Sequence, residues 1–99
     1  MASYTASRAV HNTLTATTVD TITLSAQYVR VEVLNRSATG DIFVTLDGST
    51  PTVGGNDTYV VPATGVGTFV NPANTSQPPT STVVKLISSG TPSYSVTGQ

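Results

Sequence analysis

Residues Tyr28–Gly48, YVRVEVLNRSATGDIFVTLDG, hold two runs in which apolar and polar side chains alternate, joined by a short segment of turn-forming residues. Val29, Val31 and Val33 share one side of the first run, with Arg30 and Glu32 on the other. Ile42, Val44 and Leu46 share one side of the second, against Phe43 and Thr45. A period of two marks a strand with one buried face, and β-branched side chains fit a pleated surface better than a helix. The joining segment Asn35–Gly40, NRSATG, favours reversal of the chain, so a hairpin is the economical expectation.

The same pattern continues on both sides. Asp20–Ala26 sets Ile22, Leu24 and Ala26 against Thr21, Thr23 and Ser25, which predicts a half-buried strand hairpinned to Tyr28–Leu34. Downstream, Thr58–Val61, Thr68–Val70, Thr82–Ile87 and Ser93–Thr97 are short strand candidates, the last with Tyr94 and Val96 on one face. Asn71–Ser81, NPANTSQPPTS, has no apolar period and carries consecutive prolines that withhold ladder donors, so it is expected to be a surface loop. Helix formers are scarce, with one Glu and one Lys in 99 residues. About seven short strands at this spacing predict an all-β fold, a small β-sandwich of Ig-like or jelly-roll type.

The first eighteen residues, MASYTASRAVHNTLTATT, mix small and polar side chains with isolated apolar ones. Such a stretch has little apolar surface with which to fix itself, so residues 1–18 are expected to form an N-terminal arm and residues 19–99 the sandwich. Ordering an arm costs about 1–2 kcal/mol per residue, which only a partner that buries it can offset. Tyr4, Val10 and Leu14 are the apolar anchors expected to dock, with Arg8 and His11 as polar contacts. Val83, Lys85 and Ile87 fall on one side of the most apolar strand, Val84 and Leu86 on the other, and one of these faces is expected to be exposed or covered by another subunit.

Composition narrows the chemistry. Only 9% of residues are charged and the net charge is -1, which supplies no field for nucleic acid or an anionic membrane. The four basic residues, Arg8, Arg30, Arg36 and Lys85, are scattered. There is no cysteine, so disulfides and thiolate metal sites are excluded. No segment reaches the ~20 apolar residues of a membrane span, and the start of the chain lacks a signal-peptide core, so the chain is expected to be made in a cytoplasm and left there, or exported as part of something larger.

Val44–Val61, VTLDGSTPTVGGNDTYVV, is the one stretch that resembles a ligand loop. A calcium loop of EF-hand type needs closely alternating oxygen ligands and a closing Glu, which Asp47 and Asp57 do not provide. A phosphate cradle needs a helix and a lysine after its glycines, and neither follows Gly54 and Gly55. It is therefore expected to be a turn whose tip, Asp47, Thr50, Pro51, Gly54, Gly55 and Asp57, is exposed for recognition. His11 is the only histidine and stands in the expected arm, and the acids fall where turns or exposed faces are expected, so no catalytic site, metal or cofactor is expected. Asn35-Arg36-Ser37, Asn56-Asp57-Thr58 and Asn74-Thr75-Ser76 match the glycosylation pattern, which a Thr- and Ser-rich chain produces by chance.

Two resemblances follow from these residues. FVTLDGSTPT, with Tyr59 and then Pro62, resembles the turn of the Ig-like modules found beside chitobiase and hexosaminidase domains, and implies a sandwich hairpin more than sugar binding. YVRVEVLNRSATGDIFVTLDG followed by TVVKLISSGTPSYSVTG is similar in overall character to small tailed-phage virion proteins of the capsid decoration (cement) type. That resemblance implies a non-enzymatic structural protein, bound in many copies outside an assembled capsid and stabilising it. Its expected partners are the major capsid protein and neighbouring copies of itself, a trimer on a local threefold among them, and its expected location is the virion surface after synthesis in the host cytoplasm. The alternatives are a tail or head-fibre accessory protein and a carbohydrate-binding or adhesion module. The last should show two or more of Tyr28, Phe43, Tyr59 and Tyr94 on one exposed face.

Overall fold

A computed structural model describes residues 2–26, 28–46, 48–56, 58–70 and 82–99. They form nine strands: β1 (Ala2–Ala6), β2 (Ala9–Thr13), β3 (Asp20–Leu24), β4 (Arg30–Asn35), β5 (Ile42–Thr45), β6 (Tyr59–Val61), β7 (Val66–Val70), β8 (Thr82–Ile87) and β9 (Ser93–Gly98). A five-stranded sheet runs β1-β3-β8-β5-β6 and a four-stranded sheet runs β2-β9-β4-β7. The two pack face to face as a small β-sandwich. The expected loop 71–81, Asp47 and Asp57 lie outside the described residues.

The alternation read from the sequence survives almost intact, and it fills the space between the sheets. Ile22 and Leu24 of β3, Val31 and Val33 of β4, Ile42 and Val44 of β5, Val84 and Leu86 of β8, and Tyr94 and Val96 of β9 are fully buried. Each such aliphatic side chain contributes about 1.5–3 kcal/mol through removal from water. Val29 is the exception, 66% exposed, because β4 begins one residue later and the chain is still crossing at that point.

Two expected hairpins are absent. β3 pairs with β1 and β8, whereas β4 lies in the other sheet between β9 and β7. β5 returns to the first sheet beside β8 and β6, so NRSATG carries the chain across the core and does not reverse it within a sheet. A turn-rich connector suits either geometry, and what decides is the buried face: an arch turns the apolar sides of consecutive strands toward each other. The reversal at β5–β6 is a true hairpin, with Ile42 opposite Val61, Phe43 opposite Val60 and Val44 opposite Tyr59.

The N-terminal stretch is not an arm. β1 pairs parallel to β3, from Ala2 beside Asp20 to Ala6 beside Leu24, and β2 pairs antiparallel to β9, from Ala9 opposite Thr97 to Thr13 opposite Ser93. Val10 and Leu14 sit in the core, Leu14 at 2% exposure, with Tyr4 and Ala6 packed against it. β1 and β2 supply few apolar atoms, but β3 and β9 offer them free edges, and ladder hydrogen bonds complete what burial leaves short.

Two side chains lock the connectors. Asn35, buried at the end of β4, donates from Nδ2 to the carbonyls of Gly40 (2.7 Å) and Val61 (3.3 Å), and its Oδ1 accepts from Ser37 N (3.1 Å). It thus ties the β4–β5 crossing to β6 in the opposite sheet, and its burial removes it as a glycosylation acceptor. Asn35→Ala is expected to strand these groups and cost about 2–3 kcal/mol, read as a lower urea midpoint at unchanged slope. At the other end Tyr28 lies on Gly98, donates from its hydroxyl to Ser7 O (2.7 Å) and sits under the Arg8 guanidinium. A Cβ at Gly98 would fall 2.2 Å from the Tyr28 ring, so this clamp requires glycine.

Candidate interaction surface

The outer face of the four-stranded sheet changes character across its width. Toward β2 it carries hydroxyls in cross-strand pairs: His11 Nδ1 lies 2.8 Å from Ser95 Oγ, and Thr13 Oγ1 lies 2.9 Å from Ser93 Oγ. In the middle Glu32 Oε2 accepts from Gln99 Nε2 at 3.2 Å and stands in register with Thr97 and Thr68. Toward β7 the face becomes apolar, with Leu34, Val66 and Val70 all exposed, and Val29 nearby in sequence to β4.

β6 ends the five-stranded sheet opposite β1, and β7 ends the four-stranded sheet opposite β2; because β6 and β7 are joined by the short turn Pro62–Gly65, these two edges lie on one side of the sandwich. Tyr59 and Phe69 close that side by stacking at 4.4 Å between ring centroids and 23° between planes. Outside the stack the side remains apolar, with Tyr59 49% and Val60 52% exposed. Edge strands in isolated proteins are usually blunted by charge, proline or a bulge. VGTFV of β7 contains neither charge nor proline.

The residues expected at an interface separate into three groups. Val10 and Leu14 are core residues, and Ile87 is buried at 7% exposure, so none of the three offers a contact. Tyr4 packs against the core and Arg8 is engaged with Tyr28, while His11 is exposed and paired with Ser95. Val83 and Lys85 are half-buried on the outer face of the five-stranded sheet. Lys85 Nζ donates to Gly48 O (3.1 Å) and Thr45 Oγ1 donates to Ser49 O (2.6 Å), which folds the β5–β6 loop back over this face. Of the expected loop tip, Thr50 and Gly54 are exposed, Gly55 is half-buried and Pro51 is buried.

His11 and Ser95 have the spacing of a base and a nucleophile. Among the described residues no carboxylate hydrogen-bonds the ring to orient it as the base of a triad. The same residues hold no group of three or more His, Asp or Glu placed to bind a metal.

Asp20 departs from its expected exposed position. It is 2% exposed at the start of β3, and Tyr94 on the opposite sheet donates its hydroxyl to Oδ2 at 2.9 Å. Burial raises the Asp20 carboxyl above its ordinary 3.8, against the opposing effect of the Tyr94 bond. Burial likewise pushes Tyr94 far up, reinforced by the Asp20 bond and charge, so it stays a neutral donor. Because the folded state holds the Asp20 proton more tightly, this group's contribution to stability is complete below pH 3.8 and is lost as pH rises through the raised folded value. The stability of Asp20→Asn relative to the native chain is therefore expected to climb across that window in a series of melts at successive pH; a pH-independent difference would contradict it.

The fold and surface define a small two-sheet β-sandwich with one open apolar side. Comparison with protein-family models, curated proteins and solved structures finds no significant match to the chain.

Proposed function

We propose that this chain is a structural protein whose work is protein contact, and specifically a decoration protein that coats the outside of an assembled phage capsid in many copies. The observation that carries the contact role is the side built by the uncharged edge strands β6 and β7, where exposed Tyr59 lies at the rim, Val60 on the outer face of one sheet and Val66 and Val70 on the outer face of the other. The virion reading is supported by the chain's character: short, cysteine-free, rich in Thr, Ser, Gly and Val, and nearly uncharged. A coat protein needs only a stiff body and a matching footing.

The sandwich favours this over a sugar-binding module. Tyr94 is buried, Tyr28 and Phe43 are half-buried, and one face of Tyr59 is occupied by Phe69, so no two of these rings form an open platform. With β1 and β2 built into the sandwich, the footing on a shell moves from the N-terminus to the open side. Purified chain added to shells lacking it should cosediment with them and raise the temperature at which they burst. Failure to cosediment at saturating concentration would exclude the role.

A further inference from the structure

We infer that the β7 edge is a self-pairing strand: it joins β7 of a second copy antiparallel, centred on Thr68, to make one continuous eight-stranded sheet. The inference deepens the proposed contact role by naming one partner, a neighbouring copy, though its chemistry does not depend on a capsid.

The ladder parity comes first. Arg30 N donates to Gln99 O (3.2 Å), Gln99 N donates to Arg30 O (2.9 Å), and Asn35 N donates to Gly65 O (2.9 Å). Alternate residues of an antiparallel strand bond to alternate sides, so the even residues of β4 serve β9 and the odd ones serve β7. On β7 the partners of Val31 and Val33 are Phe69 and Gly67. The N–H and C=O groups of Val66, Thr68 and Val70 therefore point away from the sheet, along an edge that pairs with no other strand among the described residues.

Those three residues read the same in both directions about Thr68. A two-fold axis through Thr68 sets Thr68 against Thr68 and Val66 against Val70, each as a hydrogen-bonded pair with both apolar residues on the same face. Thr–Thr and β-branched cross-strand pairs are favourable ones. The charges are compatible: Glu32 lies one strand inside the seam, in register with Thr68, so the two copies of Glu32 stand about 14 Å apart at the usual strand spacing. At physiological salt that exceeds the screening length of about 8 Å. The same axis keeps both inner faces on one side and brings the two Tyr59–Phe69 stacks toward a common seam.

The size of the contact sets its strength. A five-residue seam buries less than the ~1,200–2,000 Å² of a stable complex, so isolated chains associate weakly and reversibly, whereas copies held on a common support gain from high effective concentration.

The absence of cysteine makes the test direct. Thr68→Cys introduces a single thiol that the two-fold places opposite its counterpart at a Cα separation of about 5.5 Å, within disulfide range. In the isolated chain under mild oxidation it should form a covalent dimer at least about tenfold faster than Ser89→Cys, an exposed control on a loop. Thr68→Lys, which sets like charges opposite each other on an exposed position, should abolish the concentration-dependent rise in sedimentation coefficient of the native chain while leaving its circular dichroism unchanged. Equal dimerisation rates for the two cysteine variants, or association that persists in Thr68→Lys, would overturn the pairing. No shell is used, so that failure would leave the capsid reading untouched, and a failure to bind shells would leave the pairing untouched.

Discussion

Removal of residues 1–14 is expected to abolish cooperative folding, and not merely to release the protein from a partner. The deletion strips β1 from β3 and β2 from β9 along their whole lengths, leaving two inner strands as unpaired edges. It also removes Val10 and Leu14 from the core, which together contribute about 3–6 kcal/mol by burial alone. A domain of this size has a total stability of about 5–15 kcal/mol, so burial and lost ladders together consume most or all of it. Urea unfolding followed by circular dichroism should show a non-cooperative decline for the truncated chain. A sigmoidal transition with the native midpoint would restore the picture of a dispensable arm.

Tyr94→Ala is expected to be the most damaging single substitution, lowering stability by about 3–5 kcal/mol. Tyr94 is the largest fully buried side chain, and it joins the sheets twice, by its ring in the core and by its hydroxyl to Asp20. Tyr94→Phe separates the two effects. It keeps the ring and leaves the Asp20 carboxyl without that donor, for an expected loss of about 1–3 kcal/mol that shrinks in acid as Asp20 becomes protonated. Denaturation midpoints at neutral and acid pH test this ordering. A Phe variant as damaging as the Ala variant at both pH values would show that the hydroxyl, not the packing, dominates.

The strand faces were legible because each strand has one dry side, and a period of two declares it without knowledge of the neighbours. Which strands pair was not legible. NRSATG can reverse a chain within a sheet or carry it across a core, and the choice depends on β8 and β9, far along the sequence. The N-terminal strands are faint in the sequence because Ala2, Tyr4 and Ala6 alternate only weakly against Ser3 and Thr5. Their place depends on edges supplied by β3 and β9.

The surface was legible in part. The turn residues of Val44–Val61 imply the reversal that joins β5 to β6, yet Pro51 is buried, and the bonds from Lys85 and Thr45 to the Gly48 and Ser49 carbonyls are contacts that local spacing does not encode. The Asp20–Tyr94 bond spans 74 residues, and nothing beside either residue announces it. The open side could have been suspected from VGTFV, a strand without charge or proline. Its significance depends on β7 being terminal in its sheet and next to an end strand of the other, which local sequence does not encode.

The proposal that this sandwich coats a capsid is tested most directly by counting it on purified particles by quantitative mass spectrometry, with cryo-electron microscopy to locate it. The account predicts many copies, in fixed proportion to the major shell protein and regularly spaced on the outer surface. A few copies confined to one vertex or to a tail, or none at all, would contradict it.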